Sequence, residues 1–289
     1  MVNCPDKRVG LQSKKNNVAE STGAIVSYQE PPRTGSELTW SMFGIRFRVF
    51  PSFFLYSAII AYIIVGSFKP IPIAIDVGCI FLSVVFTEFV QGLVYRSYGL
   101  RSTAIIRDFV GGIYPEAEPP TAIQRIVVAL AYPASAFLLY AIVFYSNVEY
   151  AWSQKSPNAD FAYRILTIIS MFWGIIGLLP IYPYSGGKVM MELLSVITPR
   201  WGLLLTVILS IAVGLAYIAY TVAVLMNKFP PVILVDDVRL PASIIVSIFF
   251  VLAVLQNWQI LQMILAQRRE PRVHDDYDEH NDYRRPEER

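Results

Sequence analysis

The 289-residue chain is far more apolar and less charged than an ordinary soluble domain. Apolar residues make up 55% of it and charged residues 16%, with a mean hydropathy of +0.48, whereas soluble domains carry about 25% charged residues. The net charge of +2 is too small to indicate a nucleic-acid partner. The charges gather at the two ends and between long apolar runs, a distribution that excludes a soluble helical core and predicts a lipid bilayer environment.

Six apolar runs approach or exceed the roughly 20 residues that a helix needs to cross a bilayer. The first is short and lies between Pro51 and Pro70, and the third contains Pro133, which we expect to kink its helix. We therefore predict an all-α polytopic membrane protein with about six transmembrane helices. The runs are Phe53–Phe68, Ile73–Tyr95, Ile123–Tyr145, Phe161–Leu179, Trp201–Met226 and Ile244–Leu265.

The distribution of basic residues predicts how the chain is oriented. With the N-terminus in the cytoplasm, 19 of the 24 lysine and arginine residues lie on the cytoplasmic side of the six spans. The positive-inside rule therefore favours a multi-pass protein with both termini cytoplasmic. The start of the chain lacks the apolar stretch of a cleavable signal peptide, and Cys4 and Cys79 indicate neither a disulfide framework nor a metal-binding pair.

The two ends are polar and are predicted to lie outside the membrane. Residues 1–42 have the composition of a disordered cytoplasmic tail. Residues 269–289 alternate acidic and basic groups and are typical of a solvated cytoplasmic tail. Both histidines of the chain, His274 and His280, lie in this second tail. Residues 201–268 add two transmembrane helices to a core that spans residues 43–200.

A short β-prone segment, Arg101–Val110, lies between the second and third spans and is followed by Gly111-Gly112, which we expect to end it. It is too short to cross the membrane. Extended backbone at membrane depth is tolerated only against protein or a water-filled cavity. The segment is therefore predicted to be either a cytoplasmic hairpin or a re-entrant strand, and its edge could accept an extended peptide.

Ionisable and polar residues interrupt the second span. Thr87 and Gln91 are one helical turn apart and share a face, and Glu88 is adjacent to that face. An ionisable residue within a span is a functional hypothesis by default. Asp76, near the outer end of the same span, is predicted to be interfacial. Glu88 is interpreted as a protonated or hydrogen-bonded core carboxyl, as a polar anchor in a groove, or as part of a relay.

The fourth span ends in a segment that breaks a helix. Gly177–Lys188 contains Pro180, Pro183 and a Gly186-Gly187 pair. We expect a new helix to begin at Gly186 or at Gly187. A broken helix in a membrane protein normally lines a cavity. The segment therefore predicts a cavity wall after the fourth span.

In their order, these segments resemble the site-2 protease family of intramembrane zinc metalloproteases, over about residues 43–200. In that family a His-Glu-x-x-His helix supplies two zinc ligands and a catalytic glutamate, and a later aspartate is the third ligand. Two imidazoles one turn apart can hold one tetrahedral ion, and the carboxylate deprotonates its bound water. The matching segments are Phe43–Ser52, Thr87–Gln91, Tyr98-Gly99, Gly111-Gly112, Ala131-Tyr132-Pro133 and Gly177–Lys188.

The chain departs from the family at the residues that hold the metal. The two histidine positions are Thr87 and Gln91, and the aspartate position is Ser185, so that Glu88 alone of the reactive set is present. Thr, Gln and Ser are poor zinc ligands. The resemblance thus implies zinc, but the residues predict no metal cofactor and no catalytic residue. Other family positions that differ are Phe50, Tyr132 and Gly177.

The sequence therefore predicts a catalytically inactive relative, a pseudoprotease, that binds transmembrane helices or peptides of other membrane proteins in the former active-site cavity. The vestigial site is Thr87, Glu88, Gln91 and Ser185. One alternative is an active metalloprotease with an altered ligand set, such as Glu88 with Asp108 or Glu192; another is a membrane scaffold or transporter-like protein. Residues predicted to line the groove are Gly111, Gly112, Gly177, Pro180, Pro183, Gly186 and Gly187.

Overall fold

The computed structural model describes residues 35–107, 111–227, 233–235, 238–239 and 244–269. Its backbone forms two compact units. Unit 1 contains the described residues up to Pro119 together with Ser135–Phe172, and unit 2 contains Pro120–Ala134 and the described residues from Trp173 onward. Most of both predicted tails, residues 1–34 and 270–289, lies outside the described residues. The predicted division into a core of residues 43–200 and two further helices stays a prediction.

Seven α-helices account for most of the described chain, and a single 3-10 turn, Trp152–Lys155, precedes the fourth helix. Five of the helices are long and apolar enough to cross a membrane. Residues of α3 belong to both units. The helices are α1 Pro51–Val65, α2 Pro70–Ser97, α3 Ala122–Tyr150, α4 Pro157–Leu178, α5 Ser185–Ile197, α6 Gly202–Leu225 and α7 Ile244–Arg269.

Five of the six predicted spans are confirmed as apolar helices of sufficient length, namely α2, α3, α4, α6 and α7. The first predicted span is the 15-residue α1, which falls short of the roughly 20 residues needed. Pro51 begins this helix, and Gly66 ends it in the left-handed conformation, with φ of 70°. Pro133 lies inside α3, which continues through it.

A four-stranded sheet in unit 1 amends the all-α prediction. Its strand order is β1-β2-β3-β4. The hairpins β1–β2 and β3–β4 are antiparallel, and β2 pairs in parallel with β3. The strands are β1 Leu38–Met42, β2 Ile45–Val49, β3 Ser102–Ile106 and β4 Gly111–Pro115, and unit 2 adds the short pair β5 Ile233–Val235 and β6 Val238–Arg239.

Two boundaries predicted from the sequence are corrected by this sheet. Leu38–Met42 lies within the predicted disordered tail, but it forms strand β1 because it pairs along its length with β2. Gly111-Gly112 was expected to end the β-prone segment, but it begins β4, where Gly111 pairs with Ile106. The segment is thus the first strand of a hairpin that continues to Pro115.

An apolar core holds the sheet against α2, and a buried ion pair links β2 to the residue that precedes β1. Val49 and Ile106 from the sheet pack with Phe53 of α1 and with Ile80 and Val84 of α2. Arg48 is 4% exposed, and burying its charge without a partner would be costly in free energy. Its guanidinium, however, donates from Nε and Nη2 to the carboxylate of Glu37 at 2.6 and 2.9 Å. This two-point pair neutralises the charge that β2 buries.

Unit 2 is organised around the contact between α6 and α7. Gly214 of α6 lies so close to α7 that a Cβ there would be 2.5 Å from Cγ2 of Val254. The rings of Tyr217 and Phe250 stack with centroids 3.8 Å apart. Small residues at such contacts let transmembrane helices approach closely.

Candidate functional site

The polar residues of α2 are buried within unit 1. Thr87 is 0% exposed, Glu88 1% and Gln91 8%. The hydroxyl of Thr87 donates to the carbonyl oxygens of Ser83 and Val84, at 3.1 and 2.9 Å. Both acceptors belong to α2 itself, so the hydroxyl proton of Thr87 is directed at the backbone of its own helix.

Glu88 packs directly on strand β4. A Cβ atom added to Gly111 would lie 2.5 Å from Oε1 of Glu88 and 2.8 Å from its Cγ. At Gly112, the added Cβ would lie 3.6 Å from the ring of Tyr114, an ordinary contact. The close approach of the carboxyl therefore requires glycine at position 111 and not at 112. The structure thus brings together one residue of the vestigial site and one of the predicted groove.

The predicted helix break lies in unit 2, between the end of α4 at Leu178 and the start of α5 at Ser185. Ser185, half-buried, is the first residue of α5, one position before the predicted restart. A Cβ on Gly186 would lie 2.2 Å from the carbonyl oxygen of Leu179, and one on Gly187 would lie 2.3 Å from the backbone nitrogen of Tyr182. The glycine pair therefore lets the preceding turn fold back on the first turn of α5.

Gly177, another predicted groove residue, meets the Tyr132-Pro133 step of α3 inside unit 2. A Cβ on Gly177 would lie 3.2 Å from Cβ of Pro133 and 3.4 Å from the ring of Tyr132. Gly177 is therefore a packing position for α3. Pro180 and Pro183 lie in the turn between α4 and α5 and are half-buried.

Two polar side chains of α6 and α7 hold this turn, and the sequence analysis did not identify them. The backbone N–H of Tyr182 donates to Oγ of Ser210 at 2.8 Å. Nδ2 of Asn257 donates to the carbonyl oxygen of Tyr182 at 2.5 Å and to that of Ala253 at 2.8 Å. A polar residue within an apolar span is the signal that could have found both.

Glu192, proposed as a substitute zinc ligand, is bound to an arginine. Nε and Nη2 of Arg125 donate to its two carboxylate oxygens at 2.6 and 2.9 Å. Both residues belong to unit 2, and Glu192 is 7% exposed. The other proposed substitute, Asp108, lies outside the described residues. The carboxylate of Glu192 is therefore a partner for a guanidinium, which competes with any metal.

The residues at the vestigial site do not fit the zinc ion that the family resemblance implies. A catalytic zinc needs three protein ligands drawn from His, Cys, Asp and Glu. The hydroxyl of Thr87 is directed at backbone carbonyls, and Gln91 offers only an amide. Within the described parts of the chain, no three or more His, Cys, Asp or Glu side chains are grouped so that they could hold a metal.

Asp76 differs from its prediction as an interfacial residue. Its side chain is 0% exposed, because α2 turns it inward among neighbouring helices. Ser57 of α1 is equally buried. The hydropathy pattern alone could not distinguish an acid near a helix end that faces protein from one that faces the headgroups.

These features define a multi-pass integral membrane protein, mostly helical, with a small sheet packed on α2 in its N-terminal part. No protein-family model matches the chain, and no curated protein sequence matches it. Among solved structures, the chain is similar to the Site-2 Protease from Methanocaldococcus jannaschii. Sequence identity is 17% and the TM-score 0.49, and the match covers 78% of this chain and 95% of that one.

Proposed function

We propose that this chain is a pseudoprotease of the site-2 type, which binds segments of other membrane proteins without cutting them. The observation that supports this most directly is the contact between Glu88 and Gly111, because it joins the one remaining reactive residue to a sheet edge. In this proposal both termini are cytoplasmic. The former catalytic carboxyl contributes to the wall of a binding groove.

The chemistry of the side chains argues against a hydrolytic role. A metalloprotease needs a metal-bound water that a carboxylate can deprotonate. Thr87 directs its hydroxyl at the backbone of its own helix, and Glu192 is held by Arg125. Glu88 therefore has no acidified water to act on, and its position against β4 supports a role in contact rather than in proton abstraction.

Strand β4 offers an edge to which an extended segment can add. Its partner is β3, and it ends the strand order of the sheet. The sequence placed this edge at Arg101–Val110, but β3 is interior because β2 and β4 flank it. Main-chain hydrogen bonds to an exposed strand give affinity without any metal. Pro115, which lacks an N–H, limits the usable edge to the residues before it.

Metal analysis of the purified full-length protein tests the loss of hydrolytic chemistry. We expect less than stoichiometric zinc after purification in the presence of the metal. Stoichiometric zinc that is lost in Glu88→Gln or in Glu192→Gln would contradict the proposal and favour the altered ligand set. Retention of trace zinc in both variants identifies surface-bound metal and agrees with the proposal.

Binding is tested in liposomes with a fluorescent single-pass reporter helix and a photo-crosslinking residue in place of Tyr114. We expect capture of the reporter without cleavage. Gly111→Val should reduce capture because its side chain meets Glu88, whereas Gly112→Ala is the matched control and should retain capture. Adding Glu88→Ala to Gly111→Val should make room for the valine side chain and should restore part of the capture of the reporter. Reporter cleavage that chelators and Glu88→Gln abolish would overturn the proposal.

A further inference from the structure

Helix α2 carries a second buried carboxyl group, Asp76, about three helical turns before Glu88. Asp76 is 0% exposed, and neither of its carboxylate oxygens has a hydrogen-bond partner among the residues that the structure describes. An ionisable group within a membrane span is costly and indicates function. Buried polar atoms without protein partners point to bound water or to an ion.

Three serine hydroxyls in the helices of unit 1 share this condition. Ser57 of α1, Ser83 of α2 and Ser170 of α4 are each 0% exposed, and none of their Oγ atoms has a partner within the described chain. A helical serine can ordinarily donate to the carbonyl four residues earlier. These three hydroxyls do not make that hydrogen bond, which indicates that they are directed at something other than their own helices.

Helical register places these groups along one line. Ser83 follows Asp76 by seven residues, which is two turns on the same face of α2. The rings of Phe53 and Phe81 lie 5.9 Å apart where α1 and α2 run antiparallel. One turn from this contact, Ser57 is level with residue 77, beside Asp76.

The same line extends to α4. Ile169, the neighbour of Ser170, packs against the cluster that contains Ile80 and Val84. Val84 directly follows Ser83 in α2. Ile169 also packs against the cluster around Cys79, so Ser170 belongs to the part of α4 that lies alongside residues 79–84 of α2.

No cationic side chain among the described residues forms a hydrogen bond with Asp76. One turn further along α2, apolar side chains pack around Cys79 together with the rings of Tyr163 and Trp152. Asp160 and Arg164 of α4 are largely exposed and pair with each other at 2.9 Å. Lys69, before α2, is exposed, and the buried residues Phe53, Ser57 and Ala61 of α1 are uncharged.

We propose that Asp76 is a proton-binding site, served by a short file of internal water that passes Ser57 and leads to Ser83 and Ser170. A single carboxylate without a cationic neighbour is neutralised by a single proton. A divalent ion would need further acidic ligands, and no group of three or more metal-ligating side chains is present among the described residues. A buried water needs two to four polar partners, and the carboxylate oxygens and hydroxyls supply them. The proposal rests on unit 1 and is independent of the proposed function.

Infrared spectroscopy of the full-length protein in liposomes tests the proton. At neutral pH we expect a carbonyl band of a protonated carboxyl group that Asp76→Asn removes and that Asp160→Asn, the exposed control, leaves in place. Glu88→Gln must also leave this band in place. A band unaffected by Asp76→Asn would overturn the proposal. Loss of the band on adding Na⁺ at constant pH would also overturn it, because the ligand would then be a metal cation.

Deuterium exchange of the same band tests the water file. Ser57→Val and Ser83→Val should each slow exchange by about tenfold, the factor that corresponds to one lost hydrogen bond. Thr206→Val is the matched control, because this buried hydroxyl donates within its own helix, to the carbonyl of Gly202 at 2.8 Å. Exchange at the wild-type rate in both serine variants, with unchanged melting temperatures, would contradict the water file.

Discussion

Arg125 and Glu192 form a two-point ion pair that joins the first turn of α3 to the middle of α5. Both contacts are short, at 2.6 and 2.9 Å, and the side chain of Glu192 is 9% exposed while that of Arg125 is 30% exposed. Such planar pairing is a property of arginine that lysine cannot reproduce. The pair therefore fixes α5 within unit 2 and occupies both carboxylate oxygens of Glu192.

Arg125→Gln should lower the free energy of unfolding by about 2 kcal/mol, because it leaves a largely buried carboxylate without its cation. The measurement is thermal unfolding of the purified protein in detergent, followed by tryptophan fluorescence. Arg164→Gln is the matched control: its partner Asp160 is exposed, and we expect a loss of no more than about 0.5 kcal/mol. Equal losses in the two variants would show that burial does not strengthen the Arg125 pair.

Asn257→Leu should loosen the turn between α4 and α5. The variant keeps the size of the side chain but removes the donor to the carbonyl oxygen of Tyr182, which costs about 1–3 kcal/mol for a buried acceptor. We expect faster proteolysis within the turn and a lower melting temperature. Thr206→Val, which removes a hydrogen bond inside α6 alone, should leave proteolysis of the turn unchanged.

Two glycines of α2 should respond differently to substitution by alanine. A Cβ on Gly92 would lie 2.7 Å from Cδ1 of Ile45, so Gly92→Ala should push β2 away and destabilise by about 1–3 kcal/mol. Gly78 has no heavy atom within 4 Å of its added Cβ. Gly78→Ala should therefore be neutral or stabilise by up to about 1 kcal/mol. Destabilisation by both, measured by thermal unfolding, would refute the role of close packing at Gly92.

Reporters at the two ends of the chain test whether α1 crosses the membrane. Six crossings place both termini on the same side, whereas five place them on opposite sides. We expect both termini to be cytoplasmic, since the positive-inside rule favours this arrangement. The measurement is protease protection of N-terminal and C-terminal tags in sealed vesicles. Protection of one tag alone would mean that α1 does not cross.

The long helices could be predicted because a bilayer span needs about 20 mostly apolar residues, and hydropathy over that length detects such a run. Most of the sheet could not be predicted, because its strands are stabilised by partners elsewhere in the chain and not by a local pattern. Strand β2 contains Arg46 and Arg48, whose charges are unusual in a buried strand, but Arg48 pairs with Glu37 eleven residues earlier. The pairing of β2 with β3 joins residues as far apart as Arg46 and Thr103, and a local sequence pattern cannot detect it.

The polar residues of α2 could be identified by type, but their surroundings could not. The approach of Glu88 to Gly111 depends on the β3–β4 hairpin returning to α2, a tertiary event. The sequence predicts an interfacial Asp76 because it indicates only the position of the residue along the helix. Its burial depends on how α2 is rotated among its neighbours.

The shortness of α1 has a consequence for the lipid around the protein. Its 15 residues give a rod of about 22 Å, against a hydrocarbon layer of about 30 Å. Its surface carries exposed apolar groups, Phe54, Leu55, Ile59 and Ile63. If α1 crosses the membrane, a helix of this length imposes a hydrophobic mismatch of about 8 Å, which the bilayer would relieve by thinning beside it. Membranes with a thinner hydrocarbon layer, such as that of the endoplasmic reticulum, would accommodate this chain at lower elastic cost than a thick, sterol-rich plasma membrane.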